Sequence, residues 1–336
     1  MKHKPAWLWW SVAIAACAAS FALGWLAQTV FGGGRTNPSL PLRLTGDGYS
    51  YISPLLSCNS AKSFPQATNV TNAIQSVVNE HEQAGDITSA STYFADFSTG
   101  RWSSVNGSDK YYPSSLGKVP ILMAYYELSE NSSTLLDQEV TYPAGSPDLN
   151  ADQEIQPKEA IVPGEAYTVR ELLDYMIKYS DNNAAQLLYE NAAQSNLDNI
   201  YANLQIPVSN DVTSSTLDFM TPQQYSILFR TLYNATYLSR TDSEAALQLM
   251  TQSSFTEGLV AGVPSSTPVA HKFGIVSFYS GTAVTKRELH DCGIVYAPHH
   301  SYLLCVMTRG SSQLGDMEQT ISDISRAVYA QVENGQ

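Results

Sequence analysis

The chain has 336 residues, of which 43% are hydrophobic and 15% are charged. Its 18 Lys and Arg against 31 Asp and Glu give a net charge of −13, which excludes a protein that grips nucleic-acid phosphates through a basic face. Four cysteines are too few for a disulfide-stapled scaffold, the apolar content is too high for disorder, and the length allows one large domain or two ordinary ones.

The first predicted element is an uncharged apolar run over residues 7–31. As a helix this run would be about 37 Å long, enough to cross a bilayer with some tilt. Lys2 and Lys4 precede it, so the positive-inside rule places the N-terminus in the cytoplasm. We therefore predict a single-pass anchor in the cell membrane, with the rest of the chain extracytoplasmic.

Two alternatives for this segment remain open. Secretion after signal cleavage is one, but the run is long for a signal peptide, and Trp25 stands where a small residue should precede cleavage after Ala27. Lipidation is the other, because residues 14–17 resemble a lipoprotein box ending at Cys17. The residues after Cys17 stay apolar, however, where a polar tether is usual.

Residues 32–64 are rich in Gly, Pro and Ser, and we interpret them as a stalk. The predicted organisation is a cytoplasmic stub and transmembrane anchor over 1–31, the stalk over 32–64, and a single folded domain over 65–336.

Within this domain, hydrophobic periodicity predicts both helices and strands. A capping box at 168–171 and the Thr221-Pro222 pair mark two helix starts. The order of elements fits an α+β fold with a five-stranded antiparallel sheet, terminal helices on one face and a helical insertion between strands two and three. The predicted helices cover 67–83, 115–129, 168–177, 182–193, 221–232 and 317–333, and the predicted strands cover 91–97, 102–105, 269–276, 290–296 and 302–309.

The first chemistry-bearing pattern is Ser115-Leu-Gly-Lys118 at the start of a predicted helix. Residues three apart share one helix face, so a neutral Lys118 amine could take the Ser115 proton and create an acylating nucleophile. The pattern arises about once by chance in such a chain. A helix cap followed by a solvated lysine explains it equally.

Two further patterns follow. In Ser180-Asp-Asn182, the hydroxyl could relay a proton and the amide could hold a substrate amide, although Ser and Asp are also favoured helix caps. In Lys272-Phe-Gly274, the amine could support an anionic substrate, and the glycine would let the backbone approach a ligand closely. A strand-edge lysine and a bulge glycine explain this third pattern without any function.

Together, the three patterns in this order resemble the penicillin-recognising serine enzymes, and most closely the class A β-lactamases. The resemblance covers roughly residues 65–333. It extends beyond the motifs to the segments YPSSLGKVPI at 112–121, VAHKFG at 269–274 and LHDCGIVY at 289–296. It implies a β-lactamase/transpeptidase-like fold, with an all-helical subdomain beside the sheet.

The resemblance also implies a role for each matching residue. Ser115 would be the acyl-accepting nucleophile, and Lys118 its base or part of the base network. Ser180 would pass a proton to the leaving nitrogen, and Lys272 would support Ser180 and the substrate carboxylate. Asn182 would bind the substrate side-chain amide.

The backbone N–H groups of Ser115 and of Ile275, just after Gly274, would form the oxyanion hole. No cofactor is implied. His299 and His300 do not form a metal-spacing pattern, so we predict no metal site.

The sequence departs from the family in two places. The family's Glu-x-x-Leu-Asn motif, whose Glu activates the deacylating water, is absent between residues 183 and 270. The loop over 210–218 is short, and Asp218 matches an acidic residue that is structural in the family. Phe273 stands where the family has Thr or Ser, so it cannot donate the hydrogen bond that holds the substrate carboxylate, and we expect its bulk to enter the cleft.

These departures predict acyl-enzyme formation on β-lactam or peptidoglycan D-Ala-D-Ala-type amides, with slow deacylation. The alternatives are a membrane-tethered penicillin-binding protein or DD-peptidase, and a non-catalytic module that binds or senses the cell wall. The retained Ser115, Lys118, Ser180, Asn182 and Lys272 favour a working site, because no structural requirement explains all five.

Cys292 and Cys305 could face each other across the predicted final hairpin. An exported setting permits a disulfide between them, and two buried thiols fit the pattern equally. Cys58 has no evident partner.

Overall fold

The computed structural model describes residues 42–44, 48–57, 64–191, 194–206, 218–298, 300–311 and 313–334. The predicted anchor with Cys17, most of the predicted stalk and Cys58 lie outside these residues. None of the helices in the described ranges has the length and apolar character needed to cross a membrane. Residues 40–336 form one compact unit.

A five-stranded antiparallel sheet forms the centre of this unit, with strand order β4-β3-β9-β8-β7. The strands are β3 (Ser89–Asp96), β4 (Trp102–Val105), β7 (Val269–Ser280), β8 (Ala283–Tyr296) and β9 (Ser301–Gly310). Two short two-stranded sheets lie apart from it, made of β1 (Leu42–Arg43) with β2 (Leu55–Ser57), and β5 (Glu139–Thr141) with β6 (Ala166–Thr168). Because β7 is the last strand of the central sheet, one of its edges stays open to the rest of the molecule.

The first and last helices of the unit cover one face of the central sheet. They are α1 (Thr68–Ala84) and α8 (Leu314–Asn334). Their apolar stripes and the inward residues of the sheet form one core cluster, because burying such a stripe is what stabilises an amphipathic helix. Members of this cluster are Val70, Ile74 and Val78 of α1, Phe94, Tyr302 and Leu304 of the sheet, and Ile321, Ile324 and Val328 of α8.

A helical layer inserted between β4 and β7 covers the other face, around a second and larger core cluster. Thr168 and Thr221 each close a capping box that starts a helix. The helices of this layer are α2 (Lys118–Asn131), α3 (Val169–Lys178), α4 (Asn182–Asn191), α5 (Gln194–Asn203), α6 (Pro222–Tyr233) and α7 (Arg240–Met250).

The predicted α+β architecture is confirmed, including the sheet of five antiparallel strands, the terminal helices and the helical insertion. Helices α5 and α7 were missed: α5 has few apolar residues, and those of α7 are concentrated in its second half. The prediction of a helix from residue 115 is wrong by three residues, since Ser115 lies in a 3₁₀ turn (Ser114–Gly117) and α2 begins at Lys118. Strands β7 and β8 both extend further into their shared tip than predicted. The prediction stopped short because the tip is largely exposed and lacks the apolar run used to identify the strands.

The register of β8 with β9 places Cys292 opposite Cys305, and the two form a disulfide. The predicted cross-strand pairing is therefore confirmed, and the open choice between a disulfide and two thiols is decided for the disulfide. The bridge joins β8, which is the neighbour of β7, to β9. It therefore stabilises the part of the sheet on which the cleft described below is built.

We expect the double substitution Cys292→Ala/Cys305→Ala to lower the free energy of unfolding by about 3 kcal/mol, because the bridge restricts the unfolded chain. Urea unfolding, followed by circular dichroism, measures this loss. Wild-type protein in reducing agent should match the double variant, and the double variant should not respond to reductant. Equal stability of oxidised and reduced wild type would contradict the prediction.

Candidate functional site

A cleft of about 390 Å³ lies between strand β7 and the helical layer. Three of the predicted site residues, Ser115, Asn182 and Ile275, are on its wall. The complete lining is Tyr112, Ser114, Ser115, Leu149, Asp152, Gln153, Glu154, Asn182, Ile275, Val276, Ser277 and Tyr279. Lys118, Ser180 and Lys272 are buried beneath this wall and are joined to one another by hydrogen bonds.

Ser115 is presented to the cleft by the 3₁₀ turn that precedes α2. The preceding residue, Ser114, has a φ of 50°, a left-handed conformation that a non-glycine residue adopts only when its surroundings hold it there. Its hydroxyl donates a 2.5 Å hydrogen bond to the Ile275 carbonyl, which ties the turn to β7. Within the described part of the chain the Ser115 hydroxyl itself has no hydrogen-bond partner, so it is free to rotate toward a base or a substrate.

Gly274 allows the turn to lie this close to β7. A Cβ on Gly274 would lie 2.8 Å from the Pro113 carbonyl oxygen and 3.1 Å from the Leu116 nitrogen, both of which are backbone atoms. The space beside this glycine is therefore filled by the protein's own serine turn. The expectation that Gly274 admits a ligand is corrected: the glycine admits the turn that carries Ser115.

Two buried side chains of β8 hold the chain just before this turn. Glu288 accepts a hydrogen bond from the Tyr112 N–H at 2.9 Å, and the His290 Nε2 atom donates to the Tyr112 carbonyl at 3.0 Å. Sequence reasoning missed both residues. In the sequence they are recognisable only as two polar residues at alternate positions of an otherwise apolar strand.

Lys118 lies behind the serine turn and is only 5% exposed. Its Nζ atom donates to the Ser180 carbonyl at 2.5 Å and to Asn182 Oδ1 at 2.7 Å, and it lies 3.1 Å from Ser180 Oγ. Burial lowers the pKa of Lys118 to about 7, against the opposing charge of Asp181. A large fraction of this amine is therefore neutral near pH 7.

Lys272 approaches the same hydroxyl from β7. Its Nζ atom lies 2.9 Å from Ser180 Oγ and 3.0 Å from the Phe273 carbonyl, and its side chain is completely buried. Burial, and then the nearby charge of Lys118, hold the pKa of Lys272 well below its usual value. Two amines thus converge on one hydroxyl in a site where charging both is unfavourable.

Ser180 lies between the two amines, and its hydroxyl can both donate and accept a hydrogen bond. The Ser180 carbonyl and Asn182 Oδ1 are obligate acceptors, so they take the two protons of a neutral Lys118 amine. The amine lone pair is then left to face hydroxyl groups, among them Ser180 Oγ. Protons can therefore pass between the amines and the cleft through Ser180.

Asp181 fixes the loop that carries Ser180, whose φ of 59° is also left-handed. The Asp181 carboxylate is fully buried and accepts hydrogen bonds from Asn150 Nδ2, the Ile161 N–H and the Asn183 N–H, each at 2.8 Å. The simple helix-cap explanation of this motif is therefore incomplete, because Asp181 caps the following helix at Asn183 and also binds Asn150 and Ile161 of the connection between β5 and β6.

Ile275 presents its backbone to the cleft from the open edge of β7. Its carbonyl accepts from Ser114, so this carbonyl points away from β8. In an antiparallel strand the N–H and C=O of one residue point to the same side, so the Ile275 N–H also faces the serine turn. This arrangement suits a donor to a developing oxyanion.

Phe273 does not fill the cleft, and that expectation is wrong. Its side chain is 3% exposed and its ring stacks on Phe255 with a centroid distance of 4.3 Å. Aromatic stacking in the core is more favourable than projecting the ring into water. The missing hydroxyl remains a real departure, because the buried ring offers no donor to the cleft.

The outer wall of the cleft was missed entirely. It is formed by Leu149, Asp152, Gln153 and Glu154, from the long connection between β5 and β6. This connection has no periodic pattern or motif that would have identified it. Across the described ranges, no group of three His, Cys, Asp or Glu residues is placed to hold a metal ion.

Asp218 lies at the end of the expected deacylating loop. It pairs with Lys286 at 3.2 Å and with Arg309 at 3.0 Å. Both cations also contact the buried Glu288 carboxylate, so Asp218 belongs to an ion-pair network on the sheet. The loop over 207–217 lies outside the described residues.

Comparison with known proteins gives a family match and a set of similar folds. A family model described as the beta-lactamase enzyme family matches residues 69–332. No curated protein matches the sequence significantly.

The solved structures share the fold with this chain at low sequence identity. The structure of PBP-A is 21% identical, covers 79% of this chain and 97% of its own, and has a TM-score of 0.64. An acyl-enzyme complex of a PBP-A point mutant with penicillin-G is also 21% identical, covers 82% and 100%, and has a TM-score of 0.66. A beta-lactamase from Sphaerobacter thermophilus is 20% identical, covers 79% and 97%, and has a TM-score of 0.64.

We expect Gly274→Ala to lower the rate at which Ser115 is acylated by about 100-fold, because the added Cβ displaces the serine turn and small misplacements of reacting groups are costly. The rate of labelling by a serine-reactive acylating probe measures the loss. Gly117→Ala is the matched control, since a Cβ there meets nothing within 4 Å. Equal losses in the two variants would contradict the close-approach argument.

Proposed function

Because the chain belongs to the beta-lactamase enzyme family, we propose that it is a serine hydrolase that forms an acyl-enzyme through Ser115. Its proposed substrates are β-lactams or the D-Ala-D-Ala-type amides of peptidoglycan. The observation that carries the proposal is the Ser180 hydroxyl, which lies 3.1 Å from Lys118 Nζ and 2.9 Å from Lys272 Nζ beneath the wall that presents Ser115. A binding module would have no need of two buried amines around one hydroxyl.

The proposed acylation begins with attack of Ser115 Oγ on the amide carbonyl carbon. The Ser115 proton moves to the neutral Lys118 amine, and the carbonyl oxygen becomes an oxyanion facing the N–H groups of Ser115 and Ile275. When the carbon–nitrogen bond breaks, Ser180 donates its proton to the leaving nitrogen. A proton from the amine pair then restores the Ser180 hydroxyl.

The acyl-enzyme is proposed to turn over slowly. Hydrolysis of the ester needs a base for the attacking water, and the Glu-x-x-Leu-Asn motif is absent. Glu154 is on the cleft wall but is a poor base, because its pKa is lowered from the usual value. Burial alone would raise this pKa, but the hydrogen bonds from Arg287 and Ser277 outweigh that effect. A serine site with acylating parts and without the Glu-x-x-Leu-Asn motif favours a penicillin-binding or DD-peptidase-like activity over rapid β-lactam hydrolysis.

We also propose that residues 7–31 anchor this domain outside the cytoplasmic membrane. The support is the uncharged run that follows Lys2 and Lys4. The disulfide between Cys292 and Cys305 agrees with this placement, because disulfides persist in oxidising compartments outside the cytosol. A peptidoglycan substrate would be accessible from such a position.

The first test is covalent labelling with a fluorescent penicillin followed by denaturing electrophoresis. We expect a labelled band that persists for at least minutes and that disappears in Ser115→Ala. Ser132→Ala, which removes an exposed hydroxyl just after α2, should retain the band. No band together with no D-Ala-D-Ala hydrolysis would favour a non-catalytic wall-binding module, and rapid turnover of nitrocefin would contradict slow deacylation.

The labelling rate should rise as pH rises through about 7 and then level off, because burial lowers the pKa of Lys118 to about 7 and only the neutral amine accepts the serine proton. Below this pKa the rate should fall about tenfold per pH unit. Stopped reactions between pH 5 and 9 measure the profile, with Lys158→Met as a surface-lysine control that keeps it. A flat profile from pH 6 to 8 would show that Lys118 is not the base.

A further inference from the structure

The outer wall of the cleft is tied directly to the sheet by one side chain. Glu154, on the connection between β5 and β6, reaches across to β7 and β8. Its Oε2 atom accepts hydrogen bonds from Ser277 Oγ at 2.6 Å and from Arg287 Nε at 2.9 Å, and its Oε1 atom accepts from Arg287 Nη2 at 2.5 Å. Arg287 thus holds the carboxylate in a bidentate pair, with the serine hydroxyl as a third donor.

This contact is more than a loose surface ion pair. The Arg287 side chain is only 7% exposed and that of Glu154 is 26% exposed. Ser277 of β7 is the cross-strand partner of Arg287 on β8. Their hydroxyl and guanidinium are therefore fixed next to each other and form a rigid receptor for a carboxylate. In the free protein, the carboxylate in this receptor belongs to the chain itself.

The receptor lies on the acyl side of the reaction centre. Lys272 of β7 and Ser180, which serve the leaving nitrogen in the proposed mechanism, are buried beneath the cleft wall, and Ile275, three residues after Lys272, presents its oxyanion donor to the cleft. Ser277 lies two residues further from Lys272, about 7 Å beyond Ile275 along the strand, and both are on the cleft wall. The acyl half of a substrate must extend in this direction.

We propose that Ser277 and Arg287 form a subsite for a carboxylate on the acyl half of the substrate, and that Glu154 occupies it as an internal ligand until such a substrate displaces it. The inference rests on the proposed acyl-enzyme function and adds a substrate class: acyl donors with an acidic group on the acyl side. Because Glu154 competes from within the same chain, its effective concentration is high and it selects against weak ligands.

Three penicillins that differ only at the side-chain carbon test the subsite. Benzylpenicillin is neutral there, ampicillin carries an amine and carbenicillin carries a carboxylate. Glu154→Gln keeps the shape of the side chain but removes the negative charge that pairs with Arg287. We expect this substitution to raise the ratio of acylation rates, carbenicillin over benzylpenicillin, by about 10-fold or more, as measured by intact-protein mass spectrometry.

Asp152→Asn is the matched control. Asp152 is an exposed carboxylate on the same wall, and no hydrogen bond to it occurs within the described residues. Its substitution removes the same charge without touching Arg287, so the ratio should change less than about twofold. Adding Ser277→Ala to Glu154→Gln should remove part of the gain, which a general charge effect would not predict.

The outcomes separate the two proposals. Labelling by benzylpenicillin with an unchanged carbenicillin ratio in Glu154→Gln would overturn the subsite and leave the proposed function standing. An equal rise in Asp152→Asn would overturn the subsite by showing that the ratio responds to the negative charge of the wall in general. Failure of all three penicillins to label any variant would overturn the subsite, and together with no D-Ala-D-Ala hydrolysis it would overturn the proposed function as well.

Discussion

The amines of Lys118 and Lys272 converge on the Ser180 hydroxyl in a place from which water is largely excluded. The hydrogen bonds and charges around them offset the cost of burying these polar groups. Lys118 and Lys272 cannot both carry a charge there at low cost, so burial lowers the pKa of each. Asp181, whose charge opposes the shift at Lys118, is held by three hydrogen bonds. A neutral amine beside a serine therefore follows from the packing of the helical layer against β7.

The same packing decides where Ser115 lies. The sheet edge and the serine turn meet without side-chain bulk at Gly274, and Ser114 fastens the turn to the Ile275 carbonyl. From the neighbouring strand, Glu288 and His290 bind both polar groups of the Tyr112 backbone. The nucleophile is thus positioned by backbone contacts over a short stretch of two strands, which explains why its environment tolerates little added volume.

Family membership and the departures from the family pattern lead to one view of this cleft. The acylating residues are assembled, while the deacylating motif is absent and the usual carboxylate-binding hydroxyl is replaced by a buried Phe273. On the other side of the reaction centre, a guanidinium and a hydroxyl already hold a carboxylate, that of Glu154. The proposed recognition of an anionic substrate group therefore lies further along β7, on the acyl half of the substrate.

The sequence alone determined the strands, the main helices, the family resemblance and the five motif residues, because apolar periodicity and short motifs are local properties of the chain. Only the tertiary structure decided that Cys292 bonds to Cys305, that Phe273 stacks in the core, and that Glu154 meets Arg287 across the cleft. The hairpin pattern had placed the two cysteines opposite each other but left their bonding state open, and the other two contacts join segments that no local pattern relates. Which partner a side chain finds depends on how helices and strands distant in sequence pack together, and that is the information a motif does not contain.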